Sequence, residues 1–428
     1  MNRQQTIKIT KENLEAVLLE QRENFDQKDL GLEREILPRI KSFLSVPHIV
    51  IITGLRRAGK STLLAQLAKK YLKNNYYFIN FDDDRLLDFN LKDFSLLDEV
   101  LLESFGEQDI YLFDEIQNIP EWERYVRRLH DTGKKIFITG SNASLLSQEL
   151  GTRLTGRHVN LELYPFSFRE YLCFKNQEAL LESKISTKQK NYLIKYSNDY
   201  LQTGGIPDFL KYQKKEILKH LYENILYRDI VARYNIVGSK NLKELALFLA
   251  TNVSSLVSFN KLKNNLKLKS STTVKNYIDY LENAWLFFIV NVFDYSVKRQ
   301  QIAPKKVYII DNGLRNTVGF KFSKDTGRLM ENVVFLSLRH REKEIFYYKT
   351  EQNHEVDFYV RSEKKLIQVS HAFNTNDLKI RETRSLLEAF DELDVDDLII
   401  VTERDKGQIN KDGKSIQVVP LYEWLLRE

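Results

Sequence analysis

Residues 51–64 read "IITGLRRAGKSTLL": an apolar run enters a loop bounded by Gly54 and Gly59 and leaves it through Lys60 and Ser61. The spacing is G-x-x-x-x-G-K-[ST]. Glycines let backbone N–H groups close around phosphate oxygens, and the helix that follows turns its positive end toward them. The expected nucleotide contacts are therefore Gly54, Arg57, Ala58, Gly59, Lys60, Ser61 and Thr62. Lys60 is expected at the β- and γ-phosphates, Ser61 on Mg²⁺ and Thr62 near the α-phosphate. The flanks agree with this reading. "HIVIIT" reads as a buried strand, and "STLLAQLAKKYL" as a helix with Leu63, Leu64, Leu67 and Tyr71 on one face.

A site that hydrolyses nucleotide also needs carboxylates, one on the metal and one on the attacking water. "DIYLFDEIQ", 109–117, offers both at the end of an apolar strand, Asp114 for the metal shell and Glu115 for the water. "YYFINF" (76–81), "KKIFITGS" (134–141) and "HVNLELYPF" (158–166) continue the alternation of strand and helix. That rhythm predicts a parallel α/β sheet with ligand at the C-terminal edge of its strands, where Asn80, Ser141 and Asn142 end.

The chain has 428 residues, 43% apolar and 29% charged, which fits two to four soluble globular domains. Cys173 is the single cysteine, so no internal disulfide forms. The N-terminal thirty residues have no apolar core of the signal-peptide kind. The longest apolar stretch, "AWLFFIVNVF", is about half of the ~20 residues a membrane span takes. A cytoplasmic protein with no membrane partner is expected.

The formal charge of +6 is unevenly spread. Residues 238–306 hold eleven Lys/Arg against four acids, which points either to a polyanionic partner, most simply nucleic acid, or to a solvated surface. Three helical patterns fill this segment. Their inward residues are Leu242, Leu245, Ala246 and Leu249; then Phe259, Leu262 and Leu266 behind Ser258; then Val274, Tyr277, Ile278, Leu281 and Trp285. A strand and a hairpin carrying Lys298 and Arg299 follow, so a winged helix is expected. Its DNA-facing residues would be Lys261, Lys263, Lys267, Lys269, Thr272, Thr273, Lys275, Asn276, Lys298 and Arg299, gripping duplex or branched DNA with weak sequence preference.

The tail has the residue order of a restriction-endonuclease-like α/β domain: Glu331 on a helix, Asp357 on a strand, Gln368-x-Ser370 on the next. A cleaving site of that kind wants a lysine two residues past the Glu/Gln, where Ser370 stands. A degenerate module is expected, with Lys349 or His371 the candidates to compensate.

Together the glycine loop, the Asp-Glu pair, "FITGSNASLL", "RLTGRHVNLELYPFSFREYL" and "GGIPDFL" resemble the prokaryotic AAA+ ATPases of the MNS/STAND-related branch whose C-terminal part is called DUF4143. The resemblance implies an AAA+ core over 33–170 after an N-terminal helical extension (1–32), then a helical lid (171–237). The winged helix would span 238–306 and the nuclease-like domain 307–428. It further implies that Asn142, with Ser141, is sensor 1, that Asn80 restrains the catalytic Glu115, and that Arg157 is an arginine finger with Arg153 in reserve. Pro207 of the "TGGIPDF" element would pack near the nucleotide in place of the usual lid arginine, of which no clear example occurs in 185–236. The leading expectation is a DNA-acting ATPase using ATP and Mg²⁺, assembled as a homo-oligomer, a hexamer. The alternatives are a nucleotide-gated switch and an ATP-dependent nuclease.

Overall fold

A computed structural model describes residues 9–142, 154, 156–182, 186–268, 270–320, 326–341, 344–371 and 376–427, with residues 376–379 described by their backbone. The chain divides into two compact units, Met1–Leu163 and Tyr164–Glu428.

The first unit is built on five parallel strands: β1 (Ile49–Gly54), β2 (Tyr77–Asn80), β3 (Ile110–Asp114), β4 (Lys135–Gly140) and β5 (His158–Leu163). They lie in the order β2-β3-β4-β1-β5, so β1 is flanked on both sides. A parallel strand covered on both faces reads as an unbroken apolar run, and all six residues of β1 are buried. On β1 and β3 the last residues, Gly54 and Asp114, deliver the chain to one edge of the sheet. Gly54 has φ 152°, and a Cβ there would run into the backbone carbonyl of Leu163 at the end of β5. Only glycine fits that close approach.

The N-terminal helix Lys11–Asp26 covers the β2 edge. It is capped by Thr10, whose hydroxyl accepts the Asn13 N–H. Phe25 stacks on Phe78 at 3.8 Å, and Gln21 holds the Asn80 backbone on both sides, its oxygen 2.9 Å from the N–H and its nitrogen 3.0 Å from the carbonyl.

The second unit begins with helices Phe168–Phe174, Thr187–Thr203, Pro207–Tyr212 and Lys215–Asn224. Then come helix Lys240–Thr251, strand β6 (Ser255–Val257), helices Phe259–Asn265 and Ser271–Asn283, strand β7 (Phe287–Val290), helix Val297–Ile302 and strand β8 (Lys305–Ile309). The three strands form an antiparallel sheet in the order β6-β8-β7. Leu242, Leu245, Ala246, Leu249, Leu262, Val274, Ile278, Leu281 and Trp285 are buried where the 3.6-residue period puts them, while Phe259, Leu266 and Tyr277, also expected inward, are half-buried. The β7–β8 connection is a hairpin, but Lys298 and Arg299 ride on the short helix inside it.

Helix Thr326–Arg341 then leads into β9 (Ile345–Lys349), β10 (Glu355–Val360) and β11 (Lys365–Ser370). Helix Asn376–Glu392 follows, then β12 (Asp397–Thr402), β13 (Gly407–Lys411) and β14 (Lys414–Pro420). The six-stranded mixed sheet runs β13-β14-β12-β11-β10-β9. β9, β10 and β11 form an antiparallel meander, and β12 lies parallel to both β11 and β14.

Candidate functional site

The loop between β1 and helix Lys60–Leu67 carries its curvature in two left-handed residues, Arg57 (φ 63°) and Gly59 (φ 97°), which flank Ala58. Alternating right- and left-handed residues turn successive N–H groups into one concavity, the shape that receives an anion. The helix N-terminus adds first-turn donors with no carbonyl partner inside the helix. Lys60 is buried, and its ammonium donates to the carbonyls of Gly54 (3.1 Å) and Leu55 (3.2 Å). The cation is thus held by its own loop, over the concavity that a phosphate would fill.

Four elements meet at that point. Asp114 ends β3, Glu115 follows it in left-handed backbone (φ 54°), and Thr139 and Ser141 stand two residues apart at the end of β4. Thr139 ties the acidic pair together: its hydroxyl donates to Asp114 and accepts the Glu115 N–H at 3.1 Å. Ser61 also donates to Asp114. Burial and the neighbouring Glu115 charge push Asp114 upward from the ordinary carboxylate range, while Ser61, Thr139 and Lys60 pull the other way. Burial works upward on Glu115 too, but Lys60, Gln117, Arg56 and Ser141 outweigh it and hold that carboxyl below its usual value. Lys60 Nζ lies 3.7 Å from one Glu115 oxygen, and the Gln117 amide donates to the other.

Of the predicted residues, Gly54, Gly59, Lys60, Ser61, Asp114 and Glu115 converge on this edge, with Arg57, Ala58 and Thr62 on the same loop and first turn. Asn142 is buried directly after Ser141. Asn80 is differently engaged: its side-chain oxygen accepts the Asp82 N–H at 3.0 Å, and Gln117 is the amide on Glu115. Arg157 pairs with Asp131 at 3.5 Å. Arg153 and Lys269 lie outside the described residues. Pro207 is the first residue of its helix, and the glycines before it fold against Asp311 within the second unit. Asp311 accepts the Gly205 N–H (2.7 Å) and the Leu314 N–H (3.0 Å), and burial pushes its carboxyl up to about 6.

Sequence reasoning missed four residues of this neighbourhood. Thr139 has the β-strand period of two with Ser141 and was visible in principle. Gln117 is two residues past Glu115, at the end of the stretch 109–117. Arg34 and Gln66 left no local signal. Arg34 donates to the Ala58 carbonyl at 2.8 Å, while Gln66 accepts the Arg34 N–H and donates to the carbonyls of Leu30 and Leu32 at 2.7 Å each. The segment before β1 therefore laces the glycine loop to the helix after it.

In the basic segment, Lys261, Thr272, Lys275 and Asn276 are exposed, Lys263 and Thr273 are half-buried, and Lys267 is exposed in left-handed backbone (φ 51°). Lys298 and Arg299 are exposed on the hairpin helix, with Arg299 3.7 Å from Asp294. The charge count overstates the exposed field, because Lys305 and Lys306 are buried. Lys306 is neutralised by acids from outside the segment: its ammonium lies 2.9 Å from Glu331, 2.8 Å from Glu355 and 2.7 Å from Asp357. The cation beside Glu331 and Asp357 thus comes from strand β8. Of the residues expected to compensate for Ser370, His371 faces Glu403 at 3.4 Å, and Lys349 ends β9. Burial and the Asp357 charge push Glu331 upward from the ordinary carboxylate range, against the pull of Lys306 and Tyr308.

Among the described residues no helix is long and apolar enough to cross a membrane. Residues 46–172 match a family described as an AAA domain, residues 194–325 a domain of unknown function, DUF8612, and residues 326–424 a second one, DUF4143. An uncharacterized protein of Methanocaldococcus jannaschii is 37% identical over 420 residues, covering 94% of this chain and 93% of that protein. An uncharacterized protein of Haemophilus influenzae is 33% identical over 407 residues, covering 91% and 97%. The solved structure of the Aeropyrum pernix ORC1 protein in complex with DNA overlaps 69% of this chain and 95% of that one, with 12% identity and a TM-score of 0.31. Kinship rests on the two uncharacterized relatives, each matched over more than nine-tenths of its length.

Proposed function

Because the chain belongs to the family in which an AAA domain is followed by a DUF4143 region, we propose that it is a Mg²⁺-dependent ATPase that couples nucleotide turnover to DNA through its basic three-helix module. The observation that carries the ATPase reading is the meeting of Lys60, Ser61, Asp114, Glu115, Thr139 and Ser141 at one edge of a parallel sheet.

The donor set fits a metal–triphosphate: a buried ammonium, a concave run of backbone N–H groups, and a hydroxyl beside a carboxylate. Mg²⁺ would be held by Ser61 and Asp114, and when bound it neutralises phosphate charge. The chain's own groups do the rest. Lys60 exchanges the Gly54 and Leu55 carbonyls for phosphate oxygens. Its departure leaves the Glu115 carboxylate free to orient water and accept its proton. Thr139 keeps Asp114 and Glu115 in fixed relation throughout. Removing a general base of this kind costs typically 10²–10⁴-fold in rate.

The order helix, strand, helix, helix, strand, hairpin helix, strand over 240–309, with sheet order β6-β8-β7, supports a winged helix. The exposed Lys261, Thr272, Lys275 and Asn276 supply phosphate-contacting types on its second and third helices. Arg157 is assigned as the residue that reaches a neighbouring subunit's nucleotide in a ring, exchanging Asp131 for phosphate. The test is ATP turnover with and without linear and four-way-junction DNA. Stimulation by DNA, lost in Lys60→Ala and in Glu115→Gln, is expected; equal turnover under all conditions removes the coupling.

A second reading, a nucleotide-gated switch, is favoured by the restraint that Lys60, Gln117 and Ser141 place on Glu115. It requires slow hydrolysis, nucleotide retained through purification, and no DNA stimulation.

A further inference from the structure

The second unit contains an arrangement that neither ATP nor DNA accounts for. Lys306 projects from β8 into the space between helix Thr326–Arg341 and strand β10, and it is 1% exposed. Its ammonium sits 2.7–2.9 Å from three carboxylate oxygens, one each from Glu331, Glu355 and Asp357. Two of the three acids have further partners. Tyr308 donates to Glu331 at 2.7 Å, and the other oxygen of Asp357 accepts the Val369 N–H at 2.9 Å. The Asp357 N–H in turn donates to Gln368 at 3.2 Å. Glu355 keeps about a third of its side chain in solvent, so the cluster has an open side.

We propose that this cluster is a cation site whose resident ion is the Lys306 ammonium, and that the lysine shuts out the divalent metal that the three carboxylates would otherwise hold. The reasons are steric and electrostatic. Hard divalent cations take carboxylate oxygens at about 2.0–2.6 Å, so a metal ligated by these three oxygens would fall where the nitrogen already lies. The ammonium also offsets part of the negative charge that would draw a divalent cation to these oxygens. Among the described residues no group of three His, Cys, Asp or Glu is arranged to hold a metal ion. Lys306 is tethered to β8 and cannot diffuse away as a free ion does, so the lock belongs to the fold. The acids come from the DUF4143 region and the lysine from the region before it, which makes the cluster a clamp between the two.

The experiment is Mn²⁺ binding to the full chain without nucleotide, followed by electron paramagnetic resonance and by the shift in Tm. Wild type is expected to bind no Mn²⁺ at the cluster and to show no Tm shift dependent on Asp357. Lys306→Met is expected to gain one Mn²⁺ per chain, with a Tm that rises on adding the metal, and Lys306→Met/Asp357→Asn is expected to lose both. If Lys306→Met does not fold without metal, refolding in Mn²⁺ is the readout: recovery of folded protein supports the proposal, and identical failure with and without Mn²⁺ overturns it. Mn²⁺ bound by wild type and lost in Asp357→Asn overturns it, as does a folded Lys306→Met that gains no metal.

Discussion

Gln117 donates its side-chain amide to the Glu115 carboxylate, while the other oxygen of Glu115 lies 3.7 Å from the Lys60 ammonium. The general base of the proposed reaction is therefore engaged at both oxygens before any nucleotide arrives. Removing Gln117 takes away one of the contacts that hold the Glu115 carboxyl below its usual range. Gln117→Ala is expected to raise DNA-independent ATP turnover several-fold with the KM for ATP unchanged. The acid limb of the rate profile should move to higher pH, because the base then protonates more readily. A lower Tm with an unmoved pH profile would reduce Gln117 to a packing residue.

Thr139 is fully buried and serves Asp114 and Glu115 at once, as donor to one and acceptor for the other's backbone. Thr139→Val keeps the shape and removes both bonds, leaving a buried carboxylate and a buried N–H short of a partner. The expected cost is about 1–3 kcal/mol of stability, read in urea denaturation. Turnover should fall, with Mg²⁺ required at higher concentration. Thr139→Ser, which restores the hydroxyl, should recover most of both.

Much of this was legible from local pattern. β1, β3 and β4 are buried on both faces, so they appear as apolar runs, and the loop after β1 announces itself through glycines that the backbone cannot replace. The inward faces of 240–285 follow the helical period. What was not legible depends on residues far apart in the chain. Arg34 reaches Ala58 across 24 positions, Thr139 reaches Asp114 across 25, and Lys306 reaches Asp357 across 51. Lys306 shows how a local count misleads: counted as part of a basic segment, it is cancelled by acids that lie outside that segment. Asn80 is the converse case, a polar strand end in the expected place whose side chain caps its own turn.

Lys261 and Lys275 are exposed on the two helices proposed to meet DNA. Phosphate contacts contribute about equally on every sequence and release counterions, so each lysine lost should lower the slope of log affinity against log salt by about one. Lys261→Ala and Lys275→Ala are expected to weaken binding to unrelated duplexes alike, measured by fluorescence anisotropy across a salt series. ATP binding should stay unchanged. An unaltered salt slope in the double variant would move the DNA contact elsewhere.

Glu282 gives the second unit a built-in pH dependence. It is half-buried on helix Ser271–Asn283 and accepts the Ile289 N–H at 2.9 Å. Burial pushes its carboxyl up to about 7; Asp279 adds to the rise, and Ile289 and Arg339 oppose it. A carboxyl raised by folding binds its proton more tightly in the folded chain than in the unfolded one. Its contribution is therefore most favourable below the unfolded value of 4.5, declines as pH rises toward about 7, and is flat above. Glu282→Gln keeps an acceptor for Ile289 and carries no charge at any pH. Relative to wild type it should be stabilised at pH 8 by roughly 2–3 kcal/mol, with the difference shrinking toward zero near pH 4.5. Urea denaturation at closely spaced pH values measures this. A difference independent of pH would mean that Glu282 is charged in the folded chain throughout, with the Arg339 contact outweighing burial.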